Sequence, residues 1–595
     1  MSNFNKFFEQ SENNEENYFS YILLSLLVKV SLYSFPGICF LMTAFLFLPS
    51  LVDELLGAGR KPIPHLSWGE AGPKWNDEVL LNNENGKLSY NNDYAKEFIE
   101  SVAKKPLVKA EKRSSSPYIC LAKLACGKDV EEVNKYLQEL KPWSYSGSSW
   151  FLFKGDYDFT EVVLTRIMYL FGDNPKLIYQ ETLEHVLNVG LVEEGGKPRI
   201  AVPKSLGWVR DTENHHLMTE SSRYLKNQWL FKYGSSTITP GKPEYDNKTN
   251  GLERWLIDYL EDMLMNGEYE FNSIPYLLYA VQALLNLEEF PDSTEIRVRA
   301  HKVLDSINWK YALGSLQFRR CAPFRRRFEY ADTTSLVIDP HTALMRWWCL
   351  PESDNAPGKE MTRHSRILFA VLSPYTVPPI VKKWASEKPH DYFVQIGYGE
   401  NGTPEIYSGG TEYLISAGGV YRGLRAMIIP RPTTLLLNDR EVDINKCFHI
   451  KGKGKWWCWN NTGVYKRFAV GNSPVSIPPQ YTPVAQKEAW FVFAPECASG
   501  LYVCVYNDEK FGLLYLPDRN NLSPNKLLSE LINKNPSREK IYSSFVFLDD
   551  NKIEYDVNAP AGMWVIKSIN GETINRNCDT WSRWNGNIPT ELYTH

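Results

Sequence analysis

The sequence predicts a two-domain chain behind an N-terminal hydrophobic segment: an all-α domain, built as a bundle or an (α/α) toroid, then an antiparallel β-sandwich. Three observations carry this. At 595 residues the chain exceeds one usual hydrophobic core. Between 94 and 349, apolar residues recur at three- and four-residue spacing, as in "FTEVVLTRIMYLF". After Pro351 the pattern turns to short β-rich runs closed by Gly, Asn, Asp or Pro. The hydrophobic share of 43% and charged share of 23% belong to a globular protein rather than a disordered one. The expected boundaries are 1–58, 59–350 and 351–595.

From Asn17 to Val52 the only charge is Lys29, and Pro36-Gly37 splits the run into 18–35 and 38–48. These halves suit one kinked membrane helix or a shallow hairpin. A cleaved signal peptide opens with a basic region, whereas here Glu9, Glu12, Glu15 and Glu16 outweigh Lys6. Membrane association, or an extracytoplasmic place in the cell envelope, is the expectation; a wrongly assigned start codon is the alternative for the same residues. Arg60 and Lys61 cast only a weak vote on topology. Net charge is −4, from 66 basic and 70 acidic residues, so no global field recruits nucleic acid.

Residues 53–92 are rich in Gly, Pro and Asn and read as linker. Helices are expected over 94–105, 128–140, 159–171, 176–188, 214–231, 252–265, 275–287, 293–313 and 333–349, with short connections that imply antiparallel neighbours. The strand runs include "YFVQIGYG", "EYLISAGG", "EAWFVFAPE", "LYVCVYNDE", "FGLLYLPD", "SFVFLDDN" and "MWVIKSING", interrupted by one helix over 524–533. Ten cysteines are widely scattered without a C-x-x-C. Cys447, His449 and Cys458 match no common zinc spacing, so buried free thiols are expected and no metal site is assigned.

Chemistry concentrates in "TENHHLMTESSRYLKNQW", Thr212 to Trp229. Asp211 or Thr212 serves as N-cap, which places Asn214 and His215 in the first turn with His216 further round. That turn carries the positive end of the helix dipole, where an anionic group docks readily. Capping or solvated histidines are the bland alternative. A second stretch, "NGEYEFNSIPYLLYAVQALLNLEEF", sets Tyr276 and Tyr279 at the opening of an apolar helix. Together, "TENHHLM" and the later "G-x-x-E-x-N-S-x-x-Y" resemble the heparinase II/III-like and alginate-lyase-like polysaccharide lyases. "KGDYDFTEVVLTRIMYLFG" and "PEIYSGGTEYLISAGG" are also similar to segments of that family, so the resemblance spans roughly 150 to 480.

The resemblance implies an (α/α) toroid, incomplete here, followed by a β-sandwich. It also implies β-elimination beside a uronic acid in an anionic polysaccharide or oligosaccharide. In that chemistry Asn214 stabilises charge on the substrate carboxyl group as the C5 proton leaves. His215 takes the proton, its ordinary pKa lying near 6.5. Tyr276 protonates the departing oxygen, or serves as base for the other C5 stereochemistry. No cofactor is required, and a structural divalent metal is compatible with the reaction. The arginines of "FRRCAPFRRRFEY" supply a candidate sugar wall through Arg319, Arg320 and Arg325, with His216, Tyr407 and Tyr413 as further substrate-binding candidates. A solvated charge run is the alternative for the arginines. Where many relatives carry Thr-His-Gly-Arg this chain has arginines, and the nearest later histidine is His341. A glycoside hydrolase on the same scaffold would need a carboxylate pair drawn from Asp156, Asp158, Glu268 and Glu270. A non-catalytic carbohydrate-binding envelope protein is the third reading.

Overall fold

The computed structural model describes residues 93–574, apart from 109–115, 143–148, 151–152, 155–156, 200–210, 275, 326–333, 351–364, 389–390, 397–404, 419–427, 430–431, 453–459, 521 and 561–562. The N-terminal hydrophobic segment, Asp156 and Cys458 therefore lie outside the described residues. Among the described residues no helix is long and apolar enough to cross a membrane.

Helices fill the first half: α1 (Asp93–Ala103), α2 (Ser116–Ala125), α3 (Val130–Gln138), α4 (Asp158–Phe171), α5 (Gln180–His185), α6 (Glu213–Tyr233), α7 (Leu252–Asn266), α8 (Leu277–Glu289), α9 (Thr294–Leu313), α10 (Pro340–Cys349), α11 (Leu368–Val371) and α12 (Pro379–Ser386). Most coincide with the expected helices to within a few residues. The 176–188 expectation resolves into α5 plus a π-helical turn, Val186–Gly190. Three helices went unread. In "SPYICLAKLA" nine of ten residues of α2 are buried, so no polar face alternates with an apolar one to reveal the period. The short α11 and α12 fall after Pro351, where strands were expected, and α12 packs on α9 and α10. The core helices are α6, α8 and α9: α8 lies against both α6 and α9.

Antiparallel sheets fill the C-terminal part. The first has β1 (Asp391–Ile396), β2 (Glu405–Gly410), β3 (Tyr413–Gly418), β4 (Thr433–Leu437) and β5 (Phe448–Ile450) in sequential order, closed by Val475–Ser476 beside β5. A second six-stranded sheet includes Phe468–Gly471, Trp490–Phe493, Val503–Asp508 and Phe511–Tyr515, and a four-stranded sheet runs from Ser544 to Thr573. Among the described residues one α-helix, α13 (Pro524–Lys534), interrupts them where one was expected over 524–533, and Ser523 caps it with Pro at the first helical position.

Alternation along β2 and β3 explains how the two halves join. Tyr407 and Leu414 enter the helical core, whereas Ile406, Tyr413 and Ile415 enter a core shared with the second sheet. The sheet thus has one face on each core. Gly314, just past α9, permits this approach: a Cβ there would stand 2.7 Å from the Tyr407 ring.

Candidate functional site

The start of α6 is built by exchange with a distant turn. Thr212 is the extended N-cap residue, but its hydroxyl donates to Asn214 Oδ1 at 2.8 Å and accepts no capping bond from a helix amide. The amide of Asn214 donates instead to Glu270 Oε2 at 2.9 Å. In return, Glu213 accepts the backbone amides of Tyr269 at 2.8 Å and Glu270 at 3.1 Å. Two carboxylates therefore cap each other's segments across 56 residues of sequence. Burial, reinforced by the Glu270 charge, pushes the Glu213 carboxyl up to about 7. The acceptor held by this first turn is the protein's own Glu270 carboxyl, where an anionic ligand was expected to dock.

His215 is held from α4. Its Nδ1 lies 2.6 Å from Asp158 Oδ2. An ionised carboxylate only accepts, so Nδ1 carries the hydrogen and Nε2 is the basic nitrogen. The ring also packs on Phe159, centroids 5.4 Å apart, and Phe159 packs on Tyr279 at 4.2 Å. Arg199 bridges Asp158 at 3.5 Å, Asp211 at 3.3 Å and Glu193 at 3.5 Å. Burial raises the Asp211 carboxyl, but His215, Arg199 and His216 outweigh it and hold the group below its ordinary value. His216 is buried edge-on to Tyr259, ring centroids 6.0 Å apart. Burial pushes it down to about 4, so it is neutral at pH 7, and its Nε2 has no hydrogen-bond partner among the described residues.

Tyr276 occupies the N-cap position of α8 and is 8% exposed, within the helical core. The Glu268–Ser273 turn that exchanges caps with α6 leads directly into it. Asn214, His215 and Tyr276 thus stand at the starts of two packed helices tied through Glu270.

The remaining candidates are distributed differently. Arg319 donates to Asp439 and to the carbonyls of Leu437 and Glu441. Arg320 pairs with Asp339, donates to Asn272 at 2.9 Å and lies over the Tyr311 ring at 4.8 Å. Both are buried, so neither forms a solvated charge run; Arg319 reaches β4 and the loop after it, and Arg320 joins the α10 start to the Glu268–Ser273 turn. The Arg325 backbone pairs with Ile428, and its side chain lies outside the described residues. Tyr407 donates to Glu405 at 2.5 Å, near Asn272 and the helical core. Tyr413 is not brought to this cluster: it donates to Asp391 at 3.1 Å on the opposite face of the sheet, under Arg467. His341 is a buried helix-start residue whose Nε2 meets Asn308 at 2.8 Å.

Asp158, Glu268 and Glu270 each hold a specific partner, namely His215, Lys310 and the Asn214 amide. Sequence reasoning missed Arg199 and the exchange between Glu213 and Glu270, and read Asp211 only as a possible N-cap, a position Thr212 takes. The signal was present in the quoted motifs, each of which carries one of those two glutamates. Among the described residues, no group of three or more His, Cys, Asp or Glu is placed to hold a metal ion. Set against family models, curated proteins and solved structures, the chain finds no match.

Proposed function

We propose that this chain is a polysaccharide lyase-like protein that cleaves a uronic-acid-containing polysaccharide by β-elimination. In the same reading the helices close as an (α/α) toroid and the sheets pack as a sandwich. The supporting observation is the His215–Asp158 pair, which fixes the imidazole tautomer and orientation at a helix start beside Asn214. A base that must accept a weakly acidic C–H proton gains from such fixation.

In this mechanism His215 Nε2 takes the C5 proton while the Asn214 amide donates to the uronate carboxyl oxygens, where charge accumulates. The C5–H electron pair becomes the C4=C5 double bond, the C4–O bond breaks, and the departing oxygen receives a proton from Tyr276. The protonated imidazole is stabilised by Asp158. No step needs a cofactor. The chain's N-terminal segment would hold it at a membrane, which fractionation of full-length protein against a 1–55 deletion tests.

The test of the activity is incubation with a panel of uronate polymers, reading ultraviolet absorbance of the unsaturated product. A signal from at least one polymer, lost in His215→Ala, is expected; silence across the panel sinks the reading. A second reading, a carbohydrate-binding protein without the chemistry, is favoured by one observation: Glu270 already occupies the amide that an anionic substrate would seek.

A further inference from the structure

His215 works as a base only if its ring is neutral when a proton is to be taken. Two buried carboxylates face that ring. Asp158 of α4 meets Nδ1 at 2.6 Å, and Asp211, just ahead of α6, acts on it through its charge. An opposite charge within about 4–6 Å moves a titration by roughly 1–3 units. Left to themselves, the two acids would hold the imidazole protonated at neutral pH, with no lone pair on Nε2. Elsewhere at the α6 start, burial keeps His216 neutral, while Glu213 and Glu270 are spent on backbone amides.

The counterweight is Arg199. Its Nη2 stands 3.5 Å from Asp158 Oδ2, the oxygen that also meets His215, and 3.3 Å from Asp211 Oδ2. Its Nη1 stands 3.5 Å from Glu193. Burial works against the guanidinium charge, but Asp158, Asp211, Glu161 and Glu193 outweigh it, so the group stays cationic. Its placing is built into the fold. The Arg199 amide donates to Glu220 Oε1 at 2.7 Å, and Arg223 holds the other oxygen of Glu220 at 2.8 Å. Arg199 is thereby anchored to the same helix that carries His215.

We propose that Arg199 is a positioning residue for the His215 base: by sharing Asp158 and Asp211 with the ring, it keeps the imidazole neutral yet aligned. It acts through the two carboxylates, without touching substrate. As the tuning of a base this rests on the elimination reading above; as charge balance it is measured without substrate. A glutamine could keep a hydrogen bond to Asp158, but it would supply no charge.

The test is a pH titration of His215 by NMR, on full-length protein with isotope-labelled histidine rings and the signal assigned by its loss in His215→Gln. In Arg199→Gln the midpoint should rise by at least about one pH unit, a tenfold gain in proton affinity. Arg199→Lys, which restores the charge, should titrate closer to wild type. Circular dichroism establishes that each variant folds. A plain brace would lower stability and leave the midpoint alone, so an unmoved midpoint in Arg199→Gln overturns the proposal. A lysine variant that titrates with the glutamine one also overturns it. If Arg199→Gln does not fold, Glu193→Gln replaces it. With one acid fewer to serve, the guanidinium bears more fully on Asp158 and the midpoint should fall; an unmoved midpoint again overturns the proposal. The ultraviolet product assay judges the elimination separately. A chain silent on uronates whose His215 midpoint still moves keeps Arg199 in this role and loses the lyase reading. An active chain whose midpoint stays put keeps the lyase reading and loses this inference.

Discussion

The buried polar cluster at the seam and the one at the α6 start differ in what their charges leave over. At the seam, Arg319 and Arg320 send their guanidinium groups to carboxylates and to main-chain or amide oxygens: Arg319 reaches β4 and the loop after it, and Arg320 joins the α10 start to the Glu268–Ser273 turn. At the α6 start the carboxylates are the ones distributed. Asp158 goes to His215, Glu270 to a backbone amide and Glu213 to two more. What remains there is a pair of imidazoles, one aligned by a carboxylate and one kept neutral by burial. Guanidinium groups committed to carboxylates in this way stay charged and brace. An imidazole aligned by a carboxylate, as His215 is by Asp158, can take up a proton.

The largest expected effect tests the bracing side. Arg320→Met leaves Asp339 as a buried carboxylate without its cation, which costs roughly 3–5 kcal/mol in comparable buried pairs. Asp339 also caps α10 through the His341 amide at 3.0 Å, so that helix should loosen with it. Urea unfolding should show the loss as a lowered midpoint. A midpoint within experimental scatter of wild type would mean that the seam does not depend on this pair.

The opposite pattern is expected at α6. His215→Ala should lower turnover on a responsive uronate polymer by at least ~10²-fold, the scale of a lost acid–base group. Asp158→Asn should lower it too and shift the pH profile, because the amide no longer stabilises the protonated ring. Stability should fall less than in Arg320→Met. If both substitutions destabilise as strongly as Arg320→Met and leave turnover per folded molecule unchanged, the two clusters are alike and both are braces.

How much of this was readable follows the same division. The 3.6-residue period placed α4, α6, α7, α8 and α9 nearly to their ends, because each keeps apolar residues on a recurring stripe. Short β-rich runs closed by glycine did the same for β1 and β3. Helix α2 was lost because it is buried all round, so its apolar run has no contrasting face. Site residues were legible where chemistry restricts the residue type, as with Asn214 and His215. Their partners were not, because Asp158 lies 57 residues away from His215 and Glu270 lies 56 from Asn214. Nothing local in a sequence marks which carboxylate a fold will bring to a given amide. The arginines misled for a related reason: five in nine residues look exposed, yet Arg319 and Arg320 find acids 120 and 19 residues away.

The acids around α6 give a smaller, pH-dependent effect. Burial pushes Glu161 up to about 7, only partly opposed by the Val192 amide and Arg199. A carboxyl raised in the fold contributes stability that is fully present below about 4.5 and is lost as pH rises through about 7. His216 acts oppositely, since its depressed value gives stability present above 6.5 and lost as pH falls through about 4. Glu161→Gln isolates the first contribution. The amide oxygen can still accept from Val192, so the variant should gain on wild type by roughly 1–3 kcal/mol between pH 5 and pH 8. Urea unfolding of the two proteins across that range checks it, and a pH-independent difference would place Glu161 outside the titrating set.

The smallest expected effect separates bracing from function at a single oxygen. Thr212 holds the N-cap position, yet its hydroxyl donates to the Asn214 side chain and accepts no capping bond from the helix backbone. By accepting that bond, Asn214 Oδ1 is fixed, and the amide nitrogen of the same side chain is turned to the other side. If Asn214 donates to a uronate carboxyl group, that orientation matters more to the reaction than to the fold. Thr212→Val keeps the shape and removes the donor. Stability should fall by only about 1 kcal/mol, the net worth of one hydrogen bond. Turnover should fall several-fold through kcat, with KM little changed, because the lost alignment acts where charge develops in the transition state. Thr212→Ser, which restores the hydroxyl, should recover most of the rate. Equal rates in the valine and serine variants would show that Asn214 is held by the fold without being used by the chemistry, and the α6 start would then join the seam as a brace.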